Sequence, residues 1–132
     1  MPKPTWIAVT LGTLCLSSLI AEAADFTCTG TEPFWKLEIR DKGILLQDGN
    51  KITGQSKLNL KSVKPRTAEG APPDSVMIYE AGSSEKGAKP MTIVVQKREE
   101  TKCSNGMYDP VFPYDVIVIT QRTVFMGCCD NK

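Results

Sequence analysis

The 132-residue sequence predicts an all-β protein, a small antiparallel barrel or sandwich of seven to eight short strands stapled by disulfides. Apolar and polar residues alternate with a period of two in several runs, which is the pattern of a strand with one face in the core and one in water. Turn-forming residues separate these runs at short intervals, and no run has a helical period over an ordinary helical length. Many short strands at such intervals are typical of small barrels and sandwiches.

The strands can be located one by one along the chain. In FWKLEIR, residues 34–40, apolar side chains occupy every second position, and the DKG that follows predicts a turn. Segments 65–74 and 82–90 are rich in Pro, Gly and small residues and predict loops. The other predicted strands are ILLQ from Ile44, the part of 51–64 around Leu58 and Leu60, SVMIYEA (75–81), MTIVVQK (91–97), YDVIVIT (114–120) and RTVFMGCC (122–129).

Residues 1–24 predict a secretory signal peptide. A lysine near the start precedes an apolar run at 6–20, and the AEAA that follows has the small residues that a signal peptidase recognises. A membrane anchor needs about 20 apolar residues, whereas this run is shorter and contains Thr and Ser. Cleavage after Ala23 or Ala24 would leave residues 25–132 as a single β domain without a membrane span. We expect this domain to be a periplasmic or secreted monomer.

Charge and motifs exclude several classes of function. Loss of the signal peptide removes one base, Lys3, and one acid, Glu22, so the net charge stays at +1 and gives no attraction for nucleic acid or anionic membrane. The chain contains no histidine, which excludes Ser-His-Asp and Cys-His catalysis and His-ligated zinc sites. Dinucleotide-binding, P-loop and EF-hand motifs are also absent. We therefore expect no cofactor.

Four cysteines lie outside the signal peptide: Cys28, Cys103, Cys128 and Cys129. In an exported chain an even set predicts two disulfides rather than a copper(I) site of thiolates and thioethers, so no metal is expected. A bond between the adjacent Cys128 and Cys129 would close a tight ring, and each should bond a different partner. Cys28 and Cys103 then each bond one of them, in either order, and lie within about 16 Å of each other.

This pairing brings the stretches CTGTEPFW (28–35) and CSNGMYDP (103–110) to one corner of the domain. Binding loops are usually irregular segments held by rigid strands, which both stretches resemble. Trp35 also suits the core because it begins an alternating strand, and Asn105-Gly106 forms a turn whatever its function. The candidate binding residues are Glu32, Phe34, Trp35, Asn105, Tyr108 and Asp109.

Carboxylates provide the remaining catalytic chemistry, because two of them can act as acid and base in glycoside hydrolysis. Alternating strand positions predict a solvated face for most of them, so we favour a protein that is not an enzyme. Two carboxyl groups facing one pocket would favour the enzymatic alternative. The carboxylates considered are Glu32, Glu38, Asp48, Asp74, Glu80, Asp109 and Asp115.

These motifs resemble a functionally uncharacterised family of small exported bacterial proteins and lipoproteins. Its pattern is C-x-G-x-E-P-F-W, then C-x-D-G-M-S-D, a Y-P or Y-P-Y element and a terminal G-C-C or G-C. The matching stretches are CTGTEPFW, CSNGMYD, FPYDV from Phe112 and MGCC from Met126. Asn105 and Tyr108 stand where the family has Asp and Ser, so a carboxylate role at the first position does not carry over. The resemblance implies an envelope or periplasmic all-β domain with no assigned activity.

Such domains are similar in scale and setting to the small β-barrel inhibitors of lysozyme, which implies a lysozyme as one partner. The sequence therefore predicts an exported, non-enzymatic binding or interaction domain for an envelope protein or small ligand. Lysozyme inhibition is the alternative, and a carboxylate-based hydrolase is a further and less favoured one.

Overall fold

The computed structural model describes residues 2–3, 25–51, 53–61, 64–82, 90–106 and 111–131. All secondary structure in these ranges is β, which confirms the predicted fold class. Within the same ranges no helix is long and apolar enough to cross a membrane. Most of the predicted signal peptide, and the candidates Tyr108 and Asp109, lie outside the described residues.

The described chain forms eleven strands. Nine make one antiparallel sheet in the order β4-β3-β2-β1-β11-β10-β7-β6-β5, curled into a half-barrel, and β8 and β9 make a separate two-stranded ribbon. The strands are β1 (Phe26–Thr31), β2 (Phe34–Arg40), β3 (Gly43–Asp48), β4 (Lys57–Leu60), β5 (Arg66–Thr67), β6 (Val76–Ala81), β7 (Met91–Lys97), β8 (Cys103–Ser104), β9 (Val111–Phe112), β10 (Tyr114–Ile119) and β11 (Val124–Asn131).

Eight of these strands have four or more residues, and seven of them match the strands located from the sequence. The eighth, β1, is not among the predicted strands, because the sequence predicts an irregular segment from residue 28 whereas the structure has a six-residue strand there. The other three, β5, β8 and β9, have two residues each. A two-residue strand is too short to show an alternating pattern, because the period is itself two residues. β8 begins the stretch 103–110, in which the sequence predicts a turn at Asn105-Gly106, and β9 directly follows that stretch.

The core fills the inside of the curl. Residues opposite each other on neighbouring strands share a face, so Leu37, Cys28 and Cys129 form one inward row across β2, β1 and β11. Other inward positions carry Phe125 beside Trp35, with ring centroids 5.7 Å apart. Most of the stability of such a domain comes from removing this apolar surface from water.

Two glycines make room for the Trp35 indole. A Cβ added at Gly30 would collide with the indole Nε1 atom, and one added at Gly127 would collide with the Thr29 carbonyl and the indole ring. Gly30 belongs to the first family-like stretch and Gly127 to the last. The glycines and the tryptophan of these two stretches therefore form one packing unit.

The two disulfides leave β11 in opposite directions. Cys129 bonds Cys28 inside the curl, with Cα atoms 3.9 Å apart, and Cys128 bonds Cys103 of the ribbon on the outer face, with Cα atoms 5.6 Å apart. The adjacent cysteines thus have separate partners, and the structure selects one of the two pairings that the sequence leaves open. Two disulfides indicate an oxidising, extracytoplasmic environment.

Candidate functional site

A two-residue turn joins β1 to β2 and presents the first candidate residues. Glu32 and Pro33 occupy the turn between the paired residues Thr31 and Phe34, and the Glu32–Pro33 peptide bond is cis. Glu32 is exposed, and the Phe34 side chain is 58% exposed. The turn therefore projects an anionic and an aromatic group from the end of the first two strands.

Trp35 is a candidate binding residue that the structure places in the core. Its side chain is 1% exposed and packs inside the curl against Phe125. Strand alternation explains this, because Trp35 shares the inward face with Leu37 while its neighbour Phe34 points outward. Trp35 contributes to packing, and its ring is not accessible to a ligand.

The second stretch is attached to the first at its start. The Thr31 hydroxyl donates a hydrogen bond to the Asn105 carbonyl, with an Oγ1 to O distance of 2.9 Å. Asn105 is half-buried and directly follows β8, which the Cys103–Cys128 disulfide fixes to the sheet. One hydrogen bond and one covalent bond thus hold Asn105 near Glu32, as the expected corner requires.

A groove of about 770 Å³ runs between β8 and the outer face of the sheet. Its floor comprises side chains of β7, β10 and β11, among them Val94, Ile117 and Met126. Glu32 and Asn105 line it from the two family-like stretches, whereas Phe34 is not among the lining residues. The groove is the place where the described parts of both stretches meet.

Apolar side chains form a continuous row on the outer face of the sheet, and the part of this row on β7, β10 and β11 is the groove floor. Ile78, Val94, Ile117 and Met126 oppose one another in register on β6, β7, β10 and β11. The first three are half-buried, and Met126 is 71% exposed. The outer face of an antiparallel sheet usually alternates to polar residues in water. The apolar row departs from this pattern.

The next row of the same face is polar and runs parallel to the apolar one. Gln96, Asp115 and Cys128 oppose one another in register on β7, β10 and β11. Arg98 lies at the end of this row, with its Nε atom 3.1 Å from Asp115 Oδ2, and the same Nε donates to the Thr101 carbonyl. Both charged groups line the groove, and each fixes the orientation of the other.

The charges in the groove do not cancel. Arg98 offsets Asp115, and none of the ion pairs between described residues includes Glu32. The described lining therefore carries two carboxylates and one guanidinium. The result is a net charge of minus one beside an apolar floor.

Several of the other carboxylates have structural partners. Asp48 is buried and accepts hydrogen bonds from the backbone N–H groups of Asn50 and Thr53, at 3.1 and 2.8 Å, which fixes the loop after β3. Glu38 pairs with Lys36, and Glu80 with Arg66. Of the seven considered, Glu32 and Asp115 are the two in the described chain that line the groove.

Among the described residues, Tyr79 has a pKa that its surroundings clearly change. Burial inside the curl is the main cause, and together with the negative charges of Asp74 and Asp25 it raises the pKa of Tyr79 to about 12. A buried phenol resists ionisation because the phenolate loses its hydration. Tyr79 faces the core and not the groove, so its ionisation affects stability.

Metal chemistry has no ligand set in the described part of the chain. The four cysteines among the described residues are all in disulfides, and no group of three or more Cys, Asp or Glu side chains there is positioned to hold an ion. Arg98 and the apolar row are the features of the groove that sequence reasoning missed. The sequence gives one signal for them, the strongly apolar run at 114–120. This run contains Ile117 of the apolar row, and its isolated carboxylate, Asp115, is the group that Arg98 contacts.

Comparison with known proteins gives no relative. No family model matches the chain, and neither the curated proteins nor the solved structures provide a match. Function must therefore be inferred from the geometry and chemistry of the groove.

Proposed function

We propose that the protein is an exported, non-enzymatic binding domain that holds its ligand or partner in the groove between β8 and the outer face of the sheet. One observation carries this proposal: residues from both family-like stretches line the same groove, and a hydrogen bond from Thr31 to Asn105 joins them. The predicted signal peptide and the two disulfides support an extracytoplasmic site of action.

The composition of the groove supports binding. Ligand sites are usually concave and largely apolar, with a few polar groups that fix orientation. Here an apolar floor lies beside Gln96, Asp115 and Arg98. The Cys103–Cys128 bond fixes one wall to the floor before any ligand arrives. A wall that is already ordered reduces the entropy lost on binding.

Crosslinking and pulldown from an envelope fraction tests the proposal without assuming a ligand. The bait is expressed from the full chain and purified in its oxidised form. Two groove variants, Glu32→Gln and Met126→Gln, are compared with two surface controls, Asp41→Asn and Val124→Gln. Asp41 is exposed at the opposite end of β2 from Glu32, and Val124 is 56% exposed on the same face of β11 as Met126.

We expect the wild type and both controls to capture the same partner, and both groove variants to lose most of it. Equal capture by all five proteins would show that the groove is not the contact surface. A lysozyme is the partner that the family resemblance implies, and a turbidity assay of cell-wall lysis tests it directly. No slowing of lysis at micromolar protein would dismiss the lysozyme alternative.

A second candidate is a hydrolase that uses two carboxylates. It is favoured by the observation that Glu32 and Asp115 line one groove, because acid and base catalysis needs two such groups on one substrate. Arg98 already contacts one oxygen of Asp115, which leaves less of this carboxylate for a substrate. For this reason we place binding first.

Turnover assays distinguish the two candidates. Purified protein is incubated with cell-wall glycan, and released reducing ends are measured for the wild type, Glu32→Gln and Asp115→Asn. A hydrolase would release products and lose at least about 100-fold in rate in each variant. A binding domain would release none above the blank.

A further inference from the structure

The shape of the groove floor indicates an extended ligand. On the floor the apolar row crosses three neighbouring strands, from Val94 to Met126. Neighbouring strands are about 4.8 Å apart, so this part of the row is about 10 Å long. An extended peptide advances about 3.3 Å per residue, and the floor can therefore accommodate roughly three residues.

The side chains of the row determine what would contact it. Val94, Ile117 and Met126 present branched aliphatic and thioether groups, which favour apolar side chains. The Met126 thioether is flexible and polarisable, so it adapts to side chains of different shape. The floor is therefore suited to a class of apolar side chains rather than to one shape.

The row beside the floor can bind a peptide backbone. Gln96 is exposed two positions along β7 from Val94, and its amide carries both donor and acceptor groups. Ser104 lines the opposite wall, and its hydroxyl accepts a hydrogen bond from the Gly106 N–H, which leaves its own O–H as a donor. A peptide group needs one partner of each kind, and the two walls together provide them.

The net charge of the groove determines which charge on a ligand is favoured. Arg98 offsets Asp115, and the remaining negative charge lies at Glu32 in the β1–β2 turn. An exposed ion pair strengthens binding only about 1.5-fold to fivefold, so this charge affects selectivity more than affinity. A basic side chain near Glu32 is favoured over an acidic one.

We propose that the groove binds an extended peptide segment of an envelope protein, with apolar side chains on the Val94–Ile117–Met126 floor and one Lys or Arg beside Glu32. This rests on the binding function proposed above and specifies its ligand. Apolar floor, hydrogen-bonding walls and net negative charge all lie in the one groove. The Cys103–Cys128 bond keeps these three features together.

A library of random heptapeptides provides the test. It is selected on oxidised wild-type protein, and enriched peptides are synthesised and measured by fluorescence anisotropy. We expect enrichment of apolar residues around one Lys or Arg. Exchange of that basic residue for Gln should weaken binding about threefold to fivefold in the wild type and in Asp41→Asn, and hardly at all in Glu32→Gln. Met126→Gln should weaken it about fivefold, and Val124→Gln should not.

Other outcomes would overturn the peptide inference. These are an absence of enrichment, a preference for acidic peptides, a basic preference that persists in Glu32→Gln, and displacement of the peptides by cell-wall glycan fragments. If the envelope pulldown still depends on the groove, the binding function stands and only its ligand class is wrong. If the pulldown is independent of the groove, the binding function itself fails.

Discussion

Strand β11 shows how differently the two faces of the sheet are built. Inward, Phe125 and Cys129 lie in a continuous apolar core, and Gly127 makes room for Trp35. Outward, Met126 is exposed in the groove, and Cys128 lies beneath the ribbon to which it is bonded. Alternation along this one strand thus places the core residues on the inner face and the groove residues on the outer face. Substitutions on the inner face should change stability, and substitutions of the exposed side chains on the outer face should change binding.

The inner disulfide should give the largest effect. It joins residues 101 positions apart, and chain-entropy estimates for a loop of that size give about 4.7 kcal/mol. We expect the double variant Cys28→Ala/Cys129→Ala to lose about 4 to 5 kcal/mol of unfolding free energy. Urea unfolding monitored by tryptophan fluorescence measures this loss. A domain with a typical stability of about 5 to 15 kcal/mol would be left close to unfolding at the lower end of that range.

The outer disulfide is the matched control. It spans 25 positions, for which the same estimate is about 3.5 kcal/mol. Cys103→Ala/Cys128→Ala should therefore unfold at a higher urea concentration than the inner variant and should keep the near-ultraviolet circular dichroism of the Trp35–Phe125 pair. An equal or greater loss from the outer pair would contradict the estimate from loop length.

Gly127→Ala should cost about 2 to 3 kcal/mol of unfolding free energy. Its new Cβ would collide with the Thr29 carbonyl and the Trp35 ring, and backbone atoms in a paired sheet cannot move aside easily. Gly49→Ala is the control, because its nearest atom, the Phe34 carbonyl oxygen, lies at 3.9 Å, an ordinary contact. We expect a lower urea midpoint for the first variant and an unchanged one for the second. Equal midpoints would show that Gly127 is not needed for packing.

The inner face could be predicted from sequence because its signal is local. Alternation in FWKLEIR alone places Leu37 and Ile39 inward. The disulfide pairing could not be predicted, since alternation shows only that Cys128 and Cys129 face opposite ways. Which partner lies on each side depends on where β1 and β8 sit in the sheet, and that is set by long-range pairing.

The candidate site could be predicted only in part. Glu32 and Asn105 line one groove. The sequence predicts this proximity, because disulfides join both of their stretches to the adjacent cysteines of β11. Arg98 was not foreseen, because its proximity to Asp115 arises from the neighbouring positions of β7 and β10. The apolar outer row was hidden for a different reason. A strand as apolar as YDVIVI has no alternation that would show which of its residues remain at the surface.

Alkaline pH should lower the stability of the protein through ionisation of Tyr79, a residue of the inner face, without any substitution. The pKa of Tyr79 is about 12 in the folded protein, against about 10 in an unfolded chain. Burial therefore favours the neutral phenol, and its contribution is fully present below about pH 10. Between the two values the unfolded state loses its proton first, so stability falls as pH rises. The fall should reach about 1 kcal/mol at about pH 11.

Tyr79→Phe provides the control for this pH dependence, because it keeps the ring and removes the hydroxyl. We expect the wild type to lose more unfolding free energy than the variant between about pH 8 and pH 11, with a difference of about 1 kcal/mol. Tyrosinate absorbance of the folded protein should show one late ionisation that the variant lacks. Parallel stability profiles for the two proteins would contradict the assignment.

The smallest effect on stability should come from Met126→Gln. Its side chain is 71% exposed, so little apolar surface would be transferred to water, and surface changes are usually within about 0.5 kcal/mol. Val124→Gln on the same face should be equally neutral in urea unfolding. Yet these two variants should differ in ligand capture, because Met126 lines the groove and Val124 does not. A large loss of stability in Met126→Gln would mean that the outer row packs as core, and the separation of the two faces along β11 would then fail.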